Sequence, residues 1–199
     1  MIREKTLKSG NTFGARHWTD GYFIAPMMPD RLWYVSCPHC DQAVWIDELE
    51  VVEKLPIYVI TDAKNDPYRR AWKAKRAGDY QMREFLQSGE TNTEKEKYIR
   101  QDLWWAGNHK RRHSSTDFPQ LLDEEVDNLL AYMKLLDKND DHERVYMAEI
   151  HREMREFDQA RELLNREFEG FAKELAYFIQ WYADQEYAAV REMKYRDSK

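Results

Sequence analysis

Cysteine is nearly absent from the 199 residues: Cys37 and Cys40 are the only two, so no multi-disulfide framework holds the fold. Glycine (7) and proline (6) are also scarce, which excludes collagen-like and low-complexity linker chains. Long apolar runs are missing. Nothing approaches the roughly 20 residues that a membrane-spanning helix needs, and the mean hydropathy is −0.90. The first residues, Met-Ile-Arg-Glu-Lys-Thr-Leu-Lys, carry charge and no apolar stretch of the secretory kind, so the chain reads as cytoplasmic. Catalytic signatures are lacking as well. There is no glycine-rich phosphate loop, no Gly-X-Ser-X-Gly elbow and no His-Glu-X-X-His, and among 37 Asp and Glu no pair stands out as acid and base. An enzyme is therefore not the expected reading.

What is present argues for a packed core. Hydrophobic residues make up 42% of the chain, with 7 Trp, 12 Tyr and 8 Phe, a content that disordered chains do not reach. The formal charge of −6 is unevenly spread. Residues 1–116 carry 19 Lys and Arg against 16 Asp and Glu, whereas residues 117–199 carry 12 against 21.

The patterning divides along a similar line and predicts an α+β chain: a small β-rich module over 1–61, a basic linker or loop over 62–78, and a helical domain over 79–199. Phe13 to Trp18 and Tyr22 to Met27 flank Thr19-Asp20-Gly21, and an Asp-Gly pair between aromatic-rich runs is a hairpin signal. Segments 32–36 and 43–46 bracket the cysteines, and Ile57 to Thr61 has strand composition. In the second half, helices are expected at 79–87, 94–106, about 118–137, 142–155, 158–168 and 171–194, the last broken near Asp184. Thr93 with Glu96 and Asp117 with Gln120 have capping-box spacing, and Gly107-Asn108 offers a stop.

Residues 144–167 contain Met147-Ala148, His151, Phe157, Ala160 and Leu164 in an order that resembles one tetratricopeptide repeat. The resemblance implies two antiparallel helices, at about 142–168, crossing at Ala148 and Ala160. Phe157 would fill the turn and Asp158 would cap the second helix. It also implies a protein or peptide partner, with Met147, His151 and Phe157 as candidate binding residues. His151 stands where an aromatic is usual. A single repeat cannot bury its own face, so neighbouring helices must cover it.

Cys37-Pro38-His39-Cys40 between two strands resembles one knuckle of a zinc ribbon. The resemblance implies Cys37 and Cys40 as zinc ligands, with His17, His109 and His113 as candidate partners or a second chain completing the site. A turn that has kept its shape and lost its metal, or a redox dithiol, are the other readings. The redox reading is weakest because no helix is expected to begin at Cys37.

Residues 68–76 combine five cations with Tyr68 and Trp72, and Lys110-Arg111-Arg112 adds a smaller cluster, a composition suited to nucleic acid. A solvated loop balancing the acidic helices is the blander reading, and it is preferred. Trp104-Trp105 and Trp181-Tyr182 are expected in the core or at its boundary. The whole layout is similar to bacterial proteins of unassigned function, the shared residues being Trp18, Asp20, Gly21, Cys37, Pro38, Cys40, Trp104, Trp105 and Asn108. The leading expectation is an interaction or adaptor protein, with a zinc-binding nucleic-acid protein and an enzyme of unrecognised site as alternatives.

Overall fold

Gly21 takes a φ of 76°, a left-handed conformation that residues with side chains rarely adopt, and so closes the expected hairpin. The computed structural model describes residues 2–3, 10–28, 32–54, 71–89, 92–112 and 120–194. Among them the strands are β1 (Ile2–Arg3), β2 (Arg16–His17), β3 (Phe23–Ile24), β4 (Tyr34–Ser36), β5 (Ala43–Trp45), β6 (Trp72–Lys73) and β7 (Lys75–Arg76). The α-helices are α1 (Asp79–Gln87), α2 (Thr93–His109), α3 (Asp123–Met133), α4 (Asp141–Glu153), α5 (Phe157–Leu164) and α6 (Gly170–Asp184). The architecture is α+β.

Two compact units emerge, and their boundary differs from the expected one. Met1–Asn11 and Met27–Ser88 form the first, while Thr12–Pro26 joins Gly89–Lys199 in the second. The Asp-Gly hairpin thus belongs with the helices, and α1 belongs with the β part.

In the first unit, β4 is the central strand of the order β5-β4-β7, antiparallel to both neighbours, and β1 pairs with β6 in parallel. Tyr34, Val35, Trp45, Ala77 and Met82 are buried there. Phe85 of α1 closes an aromatic cluster, 5.6 Å from Tyr34 and 5.4 Å from Trp45 between ring centroids. Residues 71–76, expected within a linker, form β6 and β7 instead. The expected strand at 57–61 and the cations Arg69 and Arg70 lie outside the described residues.

The second unit carries the larger core. Val145 and Ala148 of α4 pack with Leu164 of α5, Phe168, and Ala172, Leu175, Ala176 and Ile179 of α6. Trp104 of α2, Leu129 and Tyr132 of α3 and Ile150 of α4 form a second cluster, and Tyr146 packs against both. Ala148 and Ala160 are fully buried, and α4 and α5 make the most extensive helix pairing among the described residues.

Helix ends depart from expectation where tertiary contacts intervene. Asn92, not Thr93, caps α2, its side chain accepting from Lys95 N–H at 3.1 Å. Gly107-Asn108 does not stop that helix, because both residues are buried and Asn108 is hydrogen-bonded through its side chain. α3 begins only at Asp123, where Glu125 accepts from Leu122 N–H at 2.8 Å; Asp117 lies outside the described residues. Asp158 does not cap α5 and pairs instead with Arg161 at 2.6 Å. The last expected helix ends at Asp184. Glu186 turns the chain with a φ of 53°, after which Glu192 bridges to Trp18 in antiparallel fashion.

Candidate functional site

Six of the nine residues that carry the layout resemblance, Trp18, Asp20, Gly21, Trp104, Trp105 and Asn108, converge around one buried polar network in the second unit. The Trp18–Tyr22 turn places Asp20, which has no solvent exposure, between α2 and the bend that follows it. Its carboxylate accepts from Arg112 in bidentate fashion, at 3.0 and 2.6 Å, from Asn108 Nδ2 at 2.9 Å and from Tyr22 N–H at 3.2 Å. Trp105 Nε1 donates to the Asp20 carbonyl at 3.0 Å. The Arg112 guanidinium also lies 5.0 Å from the Trp18 ring and 4.5 Å from the Tyr22 ring.

Asn108 Nδ2 donates at 2.9 Å to a second carboxylate, Glu153, which also accepts from Trp104 Nε1 at 3.1 Å. One turn earlier on α4, Glu149 holds Arg152 through two contacts of 2.7 and 2.6 Å, both side chains being fully buried. Arg152 further donates to the carbonyls of Tyr187 and Ala189 and to Thr19 Oγ1. Thr19 in turn accepts at Oγ1 from Arg191 N–H and donates its own N–H to the Arg191 carbonyl. A single guanidinium therefore ties α4 to both the hairpin turn and the segment after α6.

Charge in this cluster is unbalanced: Asp20, Glu149 and Glu153 face Arg112 and Arg152. Burial is the largest influence on Glu153, followed by the carboxylates of Glu149 and Asp20, and together they push its pKa up to about 8. Burial is the largest influence on Arg152 and pulls its pKa down, but the Glu149 carboxylate together with Glu153 and Tyr182 makes the net shift upward. With Asp20, Asn108, Glu149, Arg152 and Glu153 all shielded from solvent, the network braces the fold and offers a substrate no approach.

Gly21 is indispensable to this turn for two reasons, its left-handed φ and the Tyr146 ring, which a Cβ would meet at 2.5 Å. Gly21→Ala is expected to lower unfolding free energy by about 2–4 kcal/mol, combining left-handed strain with overpacking. Chemical denaturation at neutral pH checks this.

The cysteine turn lies in the first unit. Cys37 N–H donates to the Gln42 carbonyl and Asp41 N–H to the Cys37 carbonyl, both at 2.8 Å, and Asp41 takes a left-handed φ of 58°. Backbone N–H groups of His39 and Cys40, then the Cys40 thiol, donate to Cys37 Sγ and draw its pKa below the usual thiol value. Buried Gln81 of α1 holds the turn by donating to Ser36 Oγ at 3.2 Å, to Asp41 Oδ1 at 3.1 Å and to the Asp41 carbonyl. Of the candidate histidine ligands, His17 and His109 belong to the second unit, and His113 lies outside the described residues. Among the described residues no group of three or more His, Cys, Asp or Glu is arranged to hold a metal ion.

Met147, His151 and Phe157 are half-buried around the α4–α5 connection, and His151 Nδ1 contacts Glu156 Oε2 at 2.5 Å. More open is the outward side of α6. Tyr177 and Trp181, one turn apart, are 62% and 46% exposed, so Trp181 lies at the boundary of the core and not inside it. Each ring is braced edge-on by its neighbour, Phe178 at 5.4 Å and Tyr182 at 4.8 Å between centroids. The exposed charged residues of α6 and its flanks are Glu169, Glu174, Asp184 and Glu186 against Lys173, and Arg161 of α5 reaches the C-terminal end of the helix, donating to the Ala183 carbonyl at 2.8 Å. An open concavity of about 750 Å³ lies between α5 and α6, lined by Arg161, Glu162, Leu164, Arg166, Glu167 and Gln180 among others.

The basic cluster 110–112 is largely spent within the unit. Arg112 is paired to Asp20 with 3% of its side chain exposed, and Arg111 is paired to Glu125 with 14% exposed.

No protein-family model matches the chain, and no curated protein and no solved structure is similar to it. The tetratricopeptide and zinc-ribbon resemblances rest on residues 144–167 and 37–40 alone. No helix among the described residues is long and apolar enough to cross a membrane.

Proposed function

We propose that the chain is a cytoplasmic protein-interaction or adaptor module, and that the outer face of α6 docks a partner segment carrying basic and apolar side chains. The observation that supports this most is the exposed pair Tyr177 and Trp181 among the exposed carboxylates of α6 and its flanks. Large rigid aromatics exposed together on one helix face suit a docking surface, since burying them on binding is favourable and costs little side-chain entropy. Those carboxylates select for positive charge. The braced hairpin and C-terminal segment give this helix a stiff support.

A nucleic-acid role gains no support from Arg111 and Arg112, whose guanidinium groups are engaged internally. An enzymatic role gains none from the buried network, which solvent does not reach.

A synthetic amphipathic peptide of alternating Lys and Leu turns is a suitable probe. Its binding is expected to weaken about tenfold in the Tyr177→Ala/Trp181→Ala double variant. Binding should also decline as salt rises. Equal affinity for wild type and double variant would contradict the assignment of the α6 face.

A further inference from the structure

The loop between β4 and β5 holds the only two cysteines of the 199 residues, Cys37 and Cys40, as free thiols. Cys37 is half-buried and Cys40 is exposed. Buried Gln81 of α1 clamps the far side of the loop, its amide reaching Ser36 and twice reaching Asp41. Ser36 Oγ adds a donation to Asp41 Oδ1 at 2.9 Å. Inside this frame the N–H groups of His39 and Cys40 are directed at Cys37 Sγ. The Cys40 thiol reaches the same sulfur, with Gln42 Oε1 at 3.8 Å as its other acceptor. Amides that stabilise a thiolate commonly belong to a helix N-terminus. Here a tight turn supplies them without a helix.

We infer that Cys37 and Cys40 are a dithiol–disulfide couple that exchanges with a low-molecular-weight disulfide of the glutathione class, Cys37 attacking and Cys40 resolving. The amide donors favour the Cys37 thiolate over the thiol, and the thiolate is the attacking species. In the first step Cys37 Sγ bonds to one sulfur of the small disulfide, whose S–S bond breaks and releases one glutathione thiolate. In the second, Cys40 loses its proton to solvent and bonds to Cys37 Sγ. The bond from Cys37 to glutathione breaks, and a second thiolate leaves. Two protein thiols are thereby oxidised to one disulfide, one small disulfide is reduced to two thiols, and the two protons end on the departing sulfurs. Because the turn already holds both sulfurs in contact when reduced, closing the ring costs little chain entropy. No third cysteine competes for either one.

The test uses the full-length protein, reduced, kept in EDTA and exposed to oxidised glutathione, then quenched in acid and alkylated before its intact mass is read. Wild type is expected to become a monomer two hydrogens lighter that takes up no alkylating reagent, and excess reduced glutathione should restore it. Cys40→Ser should stop at one glutathione per chain, on Cys37, with an unchanged thermal midpoint in the reduced state, because Cys40 is exposed. At pH 6 the first step should run about threefold faster in the folded chain than in urea, since the gain in thiolate outweighs the loss of nucleophilicity. Wild type that ends with glutathione on both cysteines, links into disulfide dimers or keeps both thiols free overturns the inference. So does a first step no faster in the folded chain than in the unfolded one.

Discussion

Arg152→Met is expected to cost about 3–5 kcal/mol of unfolding free energy, a larger loss than that of Gly21→Ala. The side chain volume is nearly kept, but Glu149 is left as a fully buried carboxylate with its cation gone. The carbonyls of Tyr187 and Ala189 and the hydroxyl of Thr19 lose a donor together. Breaking one partner of a buried pair costs more than the pair contributes, because desolvation of the survivor is no longer offset. Glu149→Gln combined with Arg152→Met should therefore recover part of the loss. Urea denaturation of the single and double variants checks both statements, and equal stability of the two would show that Glu149 is not the stranded charge.

A second large effect is pH-dependent. Glu153 has a folded-state pKa of about 8, raised above its ordinary 4.5, so the folded protein holds a proton that the unfolded chain releases. Stability from this group is complete below about pH 4.5, declines as pH rises between the two values, and is fully lost above about pH 8. Within that window the folding equilibrium constant falls by roughly tenfold per pH unit from this group alone, several kcal/mol in all. Glu153→Gln carries no titrating proton and resembles the neutral acid. Denaturation between pH 5 and pH 8 should show a flatter pH dependence for the variant than for wild type. Parallel slopes would mean that Glu153 is ionised in the folded protein.

The Asp-Gly turn at 20–21, the strands beside the cysteines and the approximate spans of α1, α2, α4, α5 and α6 are legible from local signals. These features depend on residues near one another in sequence. The segment after α6 is not legible: Ala188-Ala189-Val190 reads as a helix continuation, but it is not helical, the Ala189 carbonyl accepting from Arg152 and Glu192 beyond it bridging to Trp18. Gly107-Asn108 misleads for a related reason. A pair that ordinarily ends a helix instead lets α2 approach Glu125 closely and lets Asn108 join two carboxylates.

The buried network itself unites residues as far apart as Thr19 and Arg191, 172 positions in sequence, which no local pattern reveals. A signal is nevertheless present. Val145, Ala148, Glu149 and Arg152 follow the i, i+3, i+4, i+7 spacing of one helix face, so two charges continue an apolar stripe. Charges in such positions are costly unless paired, and reading them as a pair points to the core. The exposure of Trp181 is hidden by the opposite problem. Tyr177, Trp181, Phe178 and Tyr182 are all large and apolar, so composition does not say which pair faces outward.

Photocross-linking from position 181 in living cells tests the central claim most directly, with the unnatural residue placed in the full chain. A discrete adduct with a basic segment of one partner protein, lost when Tyr177→Ala is added and absent from a cross-linker at exposed Glu124, is the predicted result. Position 181 and position 124 giving the same adducts, or 181 giving none, would contradict an α6 docking face.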